Sequence, residues 1–178
     1  MPNLPEQSMP KQSLRDNSLG LAHPKIMSSE EATTKARAWR AEGLNVVFTN
    51  GCFDILHTGH VDLLARAKAL GERLIVGLNS DASVRRQGKG PERPINKEAE
   101  RAFVLAHLSS VDAVVIFDED TPLNLIKLII PNVLVKGGDW DIANIVGKKE
   151  VEAAGGRVMS LPLLGSYSST GILQKICR

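Results

Sequence analysis

The sequence predicts an α/β protein with a doubly wound, Rossmann-like, five-stranded parallel sheet and helices on both faces. Short apolar runs typical of buried strands recur along the chain, and segments with a helical spacing of apolar residues separate them. The order is one helix and then about five strand–helix units, which is the order of a parallel sheet with right-handed crossovers. Glycine-bearing turns follow two of the predicted strands, at the sheet edge where such folds bind ligands.

The N-terminal residues 1–27 hold several prolines among Ser, Gln, Asn and Lys, and their apolar residues show no periodicity. We expect a disordered leader there, and a single domain over residues 28–178. The first helix of that domain is expected to begin at the cap residue Ser28, with acids in its first turn, and to end at Gly43. Trp39 is expected to pack this helix on the sheet.

The first strand is predicted over residues 44–48, and the helix after it runs from about Thr58 to Leu70. The turn between them covers residues 49–60 and reads Thr-Asn-Gly-Cys-Phe-Asp-Ile-Leu-His-Thr-Gly-His. In an α/β sheet this is where ligands bind, at the carboxyl end of a strand and the amino end of a helix. The turn is therefore the first candidate site.

The residue types of this turn suit a polyphosphate. Gly51 and Gly59 allow the backbone to come close to a ligand, and the first N–H groups of a helix favour an anion. His57 and His60 are three residues apart, so both imidazoles lie on one side of the first helical turn if the helix has begun there. Imidazole donates a hydrogen bond and can become cationic near neutral pH, which makes it a good partner for a phosphoryl oxygen.

The residues of the turn also allow three other interpretations. In the first, the histidines only cap and pack, which two His with two Gly at a strand-to-helix turn disfavour. In the second, Cys52, His57 and His60 bind a metal, but their spacing is not a standard zinc spacing. In the third, the turn belongs to an ordinary dinucleotide or P-loop fold, but neither G-x-G-x-x-G nor G-x-x-x-x-G-K-[ST] occurs there.

The second strand is predicted over residues 73–79 and ends at Asn79-Ser80-Asp81, again at the carboxyl edge of the sheet. The loop of residues 85–94 that follows is dense in charge, Gly and Pro. Two interpretations of it stay open: it is a solvated loop, or a mobile basic loop that covers a triphosphate.

The rest of the chain continues the alternation of strands and helices. Strands are predicted over residues 112–117, 132–136 and 157–161, and helices over residues 96–109, 122–129, 148–154 and 170–177. The fourth strand delivers a second glycine-bearing turn, Lys136-Gly137-Gly138-Asp139-Trp140, to the same sheet edge. Residues 166–170, Ser-Tyr-Ser-Ser-Thr, open the last helix, either as an ordinary cap or as donors to a γ-phosphate.

Composition excludes several classes of protein. The 178 residues are 43% hydrophobic and 24% charged, which are values of a globular domain with a substantial core. A net charge of +2 and 4% aromatic residues speak against a nucleic-acid partner. No apolar run is long enough to span a membrane, and no apolar h-region marks a secretory signal. Two cysteines far apart give no disulfide framework, so we expect a cytoplasmic protein.

Residues 57–60, His-Thr-Gly-His, resemble the HxGH signature of the nucleotidyltransferase superfamily, and residues 51–60 are similar to the G-x-F-D-x-x-H-x-G-H form of its cytidylyltransferase-like branch. The resemblance covers roughly residues 44–178. Its further blocks, in the family's order, are Asn79-Ser80-Asp81, Arg93-Pro94 with Glu100-Arg101, Lys136-Gly137-Gly138-Asp139 and the Ser/Thr block. This set is similar to the stand-alone form of the D-glycero-β-D-manno-heptose 1-phosphate adenylyltransferases.

The resemblance implies that AMP passes from ATP to heptose 1-phosphate, which gives ADP-heptose and pyrophosphate for the lipopolysaccharide core. It implies that His57 and His60 stabilise charge on the phosphates, and that Lys89 is the catalytic lysine of the loop, with Arg85 and Arg86 as competitors. Mg²⁺ is expected to arrive with ATP, without a metal site built from side chains. The nucleotide-binding residues that it implies are Asn50, Gly51, Cys52, Phe53, Gly59, Asn79, Asp81, Arg101, Lys136, Gly137, Gly138, Asp139, Ser168, Ser169 and Thr170.

The chain departs from the family's pattern near its end. Ser166 stands where Gly is frequent, and Ser169 where Thr is usual; residues 163–166 lack an Arg found in cytidylyltransferase relatives, which weakens a CTP interpretation. Three alternatives stay open: a cytidylyltransferase for glycerol 3-phosphate or a similar phospho-alcohol, a non-catalytic nucleotide-binding regulator, and a Rossmann-type redox or metal protein. The expected partners are ATP and a sugar 1-phosphate. The oligomeric state stays open, and a homodimer is a reasonable expectation for a small enzyme.

Overall fold

The computed structural model describes residues 21–88, 90, 92–162, 164–165 and 168–176. The helices in these ranges are α1 (Ser29–Ala41), α2 (Thr58–Lys68), α3 (Asp81–Arg86), α4 (Glu98–Ala106), α5 (Leu123–Ile129), α6 (Lys148–Ala153) and α7 (Ser169–Ile176). The strands are β1 (Val46–Gly51), β2 (Arg73–Asn79), β3 (Ala113–Phe117), β4 (Val133–Gly137) and β5 (Arg157–Leu161). No helix of the described ranges is long and apolar enough to cross a membrane.

The strands form one parallel sheet in the order β3-β2-β1-β4-β5. The central strand, β1, pairs with β2 on one side and with β4 on the other. The chain winds outward from β1 to β3 and then returns to the far side of β1, so the topological switch point lies between β1 and β4. The predicted five-stranded parallel sheet is confirmed.

Helices cover both faces of the sheet, as predicted. One face packs against α1 and α5 in a core that includes Trp39, Phe48 and Ile126. The other face packs against α2 and α4 in a second core that includes Val47 and Leu64. Val47 and Phe48 are neighbours on β1 and enter opposite cores, because successive side chains of a strand point to opposite faces. Each such side chain stabilises the fold by roughly 1.5–3 kcal/mol.

The first helix begins at the residue that the sequence predicts. The Ser28 hydroxyl accepts a hydrogen bond from the Glu31 N–H at 3.2 Å, and the Glu31 carboxylate accepts one from the Ser28 N–H at 2.8 Å. This reciprocal capping box satisfies two otherwise unpaired donors. Near the other end of α1, an Arg40 Nη1 donates to the carbonyls of Ile129 and Ile130 at 2.7 and 3.1 Å, which ties α1 to the end of α5.

Several boundaries differ from the prediction, and two of the differences lie near the signature turn. The first strand was predicted to end at residue 48, but β1 continues to Gly51, because its pairing with β2 extends to the Gly51–Leu78 pair. The loop predicted over residues 85–94 begins inside α3, which is capped by the Ser80 hydroxyl accepting from the Ser83 N–H at 3.0 Å. The first difference comes from pairing with β2, which lies far away along the chain. The second comes from the Ser80 cap, which is hard to recognise in the sequence because charged residues follow it.

The last residues of the expected leader contact the sheet. The Val114 N–H on β3 donates to the Lys25 carbonyl at 2.7 Å, and the Met27 N–H donates to the Val114 carbonyl at 3.1 Å. These bonds form a short parallel bridge at Ile26 on the outer edge of β3. The contacts of the folded unit therefore begin a few residues before Ser28.

Candidate active site

The two histidines of the turn lie together at the start of α2. His57 is the cap residue of that helix, with extended backbone, and His60 lies in its first turn, beside the buried Gly59. Their rings stack, with centroids 3.8 Å apart and planes 22° from parallel. Both imidazoles therefore lie on one side of the first helical turn, as their spacing predicts.

The surroundings of the pair set its charge. Burial lowers the pKa of His57 from its ordinary value of 6.5, so this imidazole is neutral at neutral pH. The Phe53 ring meets His60 edge-on, with centroids 5.2 Å apart. The pair thus offers imidazole hydrogen bonds next to the partial positive charge of a helix N-terminus, which is a suitable arrangement for a phosphate.

The turn before the histidines is sharply folded. Phe53 has a φ of +44°, a left-handed conformation that is uncommon for a side chain of this size. A Cβ on Gly51 would lie 3.0 Å from the Phe53 ring, so glycine at the end of β1 allows the ring to fold back on the strand. Cys52 lies between Gly51 and Phe53, and its thiol donates a hydrogen bond to the Gln87 side-chain carbonyl at 3.1 Å.

A cleft of about 360 Å³ opens at the switch point between β1 and β4. Its lining comes from the ends of three strands and from the loops after β3 and β4: Asn50, Asn79, Gln87, Asp120, Thr121, Pro122, Leu134, Val135, Lys136, Trp140, Asn144, Ile145 and Val146. Three residues predicted for nucleotide binding, Asn50, Asn79 and Lys136, share this cleft. The polar walls formed by Asp120 and Asn144 were not predicted, because sequence does not show which loops face each other.

The turn after β4 shapes one wall of the cleft. Lys136 holds its ammonium 5.3 Å from the centroid of the Trp140 ring, and the indole N–H donates to the Gly137 carbonyl at 3.1 Å. Gly138 has a φ of +109°, and a Cβ there would lie 3.1 Å from the indole nitrogen. Glycine at this position therefore allows the half-exposed Trp140 to lie over the turn. Asp139 lies exposed at its tip.

Arg101 lies beneath the signature turn and does not line the large cleft. Its guanidinium donates to the carbonyls of Cys52 and Asn79 at 2.6 and 2.9 Å, and it pairs with the Asp81 carboxylate at 2.7 Å. A smaller cavity of about 120 Å³ adjoins it on the α4 side. Asp81, predicted as a nucleotide-binding residue, is the first residue of α3 and faces this arginine.

Asp54 supports the signature turn, and no role of its own is predicted for it from the sequence. Its buried carboxylate pairs with Arg93 at 2.5 Å and accepts hydrogen bonds from the N–H groups of Ile95 and Asn96 at 2.9 Å. The sequence carries one signal for this role. Asp54 lies between Phe53 and two apolar residues, so its carboxylate is expected to be buried, and a buried charge needs a partner. That partner lies 39 residues away, which sequence spacing does not reveal.

The C-terminal block reaches the same turn. The Ser169 hydroxyl donates to the Ile55 carbonyl at 3.2 Å, whereas the Ser168 hydroxyl accepts from the Gly171 N–H at 3.0 Å. Ser168 thus behaves as a helix cap, and Ser169 joins α7 to the signature turn. The Thr170 side chain lies outside the described part of the structure.

The basic loop is described only in part. Lys89, the predicted catalytic lysine, lies outside the described residues. Its competitor Arg86 pairs with Asp120 at 2.7 Å and also donates to the Asp118 carbonyl, and the Asp120 hydrogen bond raises the pKa of Arg86. Arg86 is therefore engaged with the loop after β3, while Arg85 is exposed on α3.

Comparison with known proteins identifies the class. Residues 48–175 match the cytidylyltransferase-like family model, and the chain belongs to the cytidylyltransferase-like family. It is a nucleotidyltransferase, with the HxGH turn and the cleft at the carboxyl edge of its sheet.

Two relatives of this chain carry the same name. The chain is 54% identical over 151 residues to the bifunctional protein HldE of Mesorhizobium japonicum, a match covering 85% of this chain and 30% of that protein. It is 52% identical over 169 residues to the bifunctional protein HldE of a Caulobacter species (strain K31), covering 90% and 34%. The chain thus spans about a third of the length of these relatives.

A solved structure has a similar fold. It is described as the lipopolysaccharide core biosynthesis protein from Thermoplasma volcanium GSS1. Its TM-score with this chain is 0.58 at 28% sequence identity, and the match covers 71% of this chain and 100% of the other.

Proposed function

We propose that this domain transfers AMP from ATP to D-glycero-β-D-manno-heptose 1-phosphate and releases ADP-heptose and pyrophosphate. The observation that carries the proposal is the stacked His57–His60 pair at the start of α2 in a chain of the cytidylyltransferase-like family. The likeness to two HldE proteins and to a lipopolysaccharide core biosynthesis protein supports a heptose phosphate as the acceptor.

In the proposed reaction, a phosphate oxygen of the sugar 1-phosphate attacks the α-phosphorus of ATP in line. A new P–O bond forms there, the bond from the α-phosphorus to the bridging oxygen breaks, and pyrophosphate leaves with the electron pair. His57 and His60 donate hydrogen bonds to the phosphate oxygens that gain charge. Catalysis then consists of positioning and electrostatic stabilisation, with no covalent enzyme intermediate.

Mg²⁺ belongs to this proposal as the ion of MgATP. Among the described residues, no group of three or more His, Cys, Asp or Glu side chains is arranged to hold a metal ion. We propose that this ion is bound mainly through phosphate oxygens and water, as Mg²⁺ commonly is. When bound, Mg²⁺ would neutralise part of the negative charge of the leaving pyrophosphate.

The switch-point cleft suits the acceptor, which would lie there beside the residues predicted for nucleotide binding, Asn50, Asn79 and Lys136. A volume of about 360 Å³ is in the range of small-molecule sites. Its polar lining includes amide groups at Asn50 and Asn144, the Asp120 carboxylate and the Thr121 hydroxyl, which pair well with sugar hydroxyls. Lys136 adds a cation for a phosphate. This lining favours a hydroxyl-rich acceptor.

The second candidate is a cytidylyltransferase acting on glycerol 3-phosphate or a similar phospho-alcohol. The family's name favours it, because the matching model is cytidylyltransferase-like. It would use the same histidines and the same in-line attack, and would differ in the base and in the contacts that the acceptor makes in the cleft.

Pyrophosphate release by the purified chain with Mg²⁺ distinguishes the candidates. ATP and CTP would each be combined with heptose 1-phosphate, glycerol 3-phosphate and phosphoethanolamine. We expect release only with ATP and heptose 1-phosphate. Release with CTP and a phospho-alcohol would support the second candidate. No release from folded protein that binds ATP would instead support a non-catalytic nucleotide-binding regulator.

The proposal extends to the cellular location and the oligomeric state of the protein. We propose a cytoplasmic protein, since ATP and a sugar phosphate are cytoplasmic metabolites in the reaction proposed. A homodimer would be tested by sedimentation equilibrium of the purified chain.

A further inference from the structure

We propose that Arg101 is a positioning residue for nucleotidyl transfer, and that it acts by orienting the peptide group between Cys52 and Phe53. The inference rests on the proposed transfer reaction. Arg101 is 2% exposed, its side chain is fully buried, and it lies on α4, directly under the signature turn. A buried guanidinium requires several acceptors, and its acceptors here are mostly backbone carbonyls that belong to the candidate site.

Four contacts hold the guanidinium in one orientation. Its Nη1 donates to the Cys52 carbonyl at 2.6 Å and to the Asn79 carbonyl at 2.9 Å. Its Nε donates to the Asn96 carbonyl at 3.0 Å, and its Nη2 pairs with Asp81 at 2.7 Å. One side chain thereby joins the end of β1, the end of β2 and the starts of α3 and α4.

The contact with Cys52 has a consequence for the next residue. A peptide group is planar and trans, so its C=O and N–H point in opposite directions. The Cys52 carbonyl points inward to Arg101, and therefore the Phe53 N–H of the same peptide group points away from the buried guanidinium. Phe53 is one of the nucleotide-binding residues that the resemblance implies, and its backbone N–H is the donor that it would offer to the ATP phosphates. Arg101 thus fixes the direction of a donor that it does not touch.

The backbone conformation at this position needs such support. Phe53 has a φ of +44°, which a bulky residue adopts only when its surroundings hold it there. The carbonyl on one side of Phe53 is held by Arg101. On the other side, the Asp54 carboxylate is buried against Arg93 and the N–H of Ile95. The strained residue is therefore held on one side by a hydrogen bond from a buried guanidinium and on the other by a buried ion pair.

The test is Arg101→Lys, which keeps the positive charge but cannot make the four contacts with one group. We expect kcat to fall by about 10²–10³, the usual loss for one transition-state donor, and the KM and Kd for ATP to rise by no more than about tenfold, the cost of one ground-state hydrogen bond. Arg40→Lys is the matched control, because Arg40 also donates to two backbone carbonyls but lies between α1 and α5, away from the site. This control should lose thermal stability and keep its kcat per folded molecule.

A second measurement does not require turnover. In ¹⁵N–¹H spectra, the Phe53 amide resonance of the wild type should shift when ATP is added, and this shift should be lost in Arg101→Lys. If the wild type releases no pyrophosphate with any substrate pair, the proposed function fails, and the amide shift still tests the role of Arg101.

Two results would overturn the proposal: an unchanged kcat per folded molecule in Arg101→Lys, or a Phe53 amide shift that persists in it. Should Arg101→Lys fail to fold, Asp81→Asn carries the test, because it loosens the guanidinium without emptying its site. A lower kcat at an unchanged Kd for ATP in Asp81→Asn supports the proposal, and an unchanged kcat contradicts it.

Discussion

Replacing His57 by alanine should stop the reaction and leave the fold intact. His57 is the cap residue of α2, but its side chain makes no capping hydrogen bond, so the helix start does not depend on it. One structural loss is the stacking on His60 at 3.8 Å, and ring pairs of this kind contribute about 0.5–1.5 kcal/mol. That is a fraction of the roughly 5–15 kcal/mol by which domains are stable.

The catalytic loss should be larger. Removing one preorganised donor to a charged transition state typically lowers kcat by about 10²–10³, or roughly 3–4 kcal/mol. Burial lowers the pKa of His57, so the neutral imidazole is the donor, and activity should not fall as the pH rises through neutrality. The assay is steady-state pyrophosphate release, read together with the urea midpoint of each variant.

The matched control is His107→Ala, since His107 lies at the end of α4 and outside both cavities. It should retain the kcat of the wild type. Turnover within about threefold of the wild type in both His57→Ala and His60→Ala would refute the assignment of the pair as phosphate donors.

Three further predictions concern stability and the acceptor. Gly77→Ala should cost about 1–3 kcal/mol in urea unfolding, because a Cβ there would lie 2.7 Å from the Phe48 ring. The free energy of unfolding should fall as the pH drops below 6.5, because burial lowers the pKa of His57 and the unfolded chain then binds more protons than the folded one. His57→Gln should make the free energy of unfolding less dependent on pH. Urea unfolding at several pH values measures this dependence. Asn144→Ala should raise the KM for the sugar phosphate about tenfold and leave the KM for ATP unchanged, as the loss of one hydrogen bond predicts; equal changes in both would contradict its placement in the acceptor site.

Local signals predicted the parts of the fold that depend on neighbouring residues. Ser28 and Glu31 lie three apart and form their capping box within one turn of helix. His57 and His60 stack because three residues return to the same side of a helix. The gathering of Asn50, Asn79 and Lys136 in one cleft follows from parallel strands, whose carboxyl ends share an edge.

Features that depend on distant partners could not be predicted in this way. The resemblance singles out Arg101, but its burial under the signature turn could not be predicted, because charged helix residues are mostly exposed. The pairing of Asp54 with Arg93 joins segments 39 residues apart, and the pairing of Arg86 with Asp120 joins the end of α3 to the loop after β3. Such contacts are decided by how the helices pack on the sheet, which periodicity alone does not specify.

The most direct test of the proposed reaction follows the phosphorus atoms of ATP. The purified chain would be incubated with Mg²⁺, heptose 1-phosphate and ATP labelled either at the α- or at the γ-phosphorus. Attack at the α-phosphorus predicts that the α-label appears in a nucleotide sugar and the γ-label in pyrophosphate, in equal amounts. A γ-label transferred to the sugar phosphate, or an α-label that stays in ATP while the protein is folded and binds the nucleotide, would contradict nucleotidyl transfer.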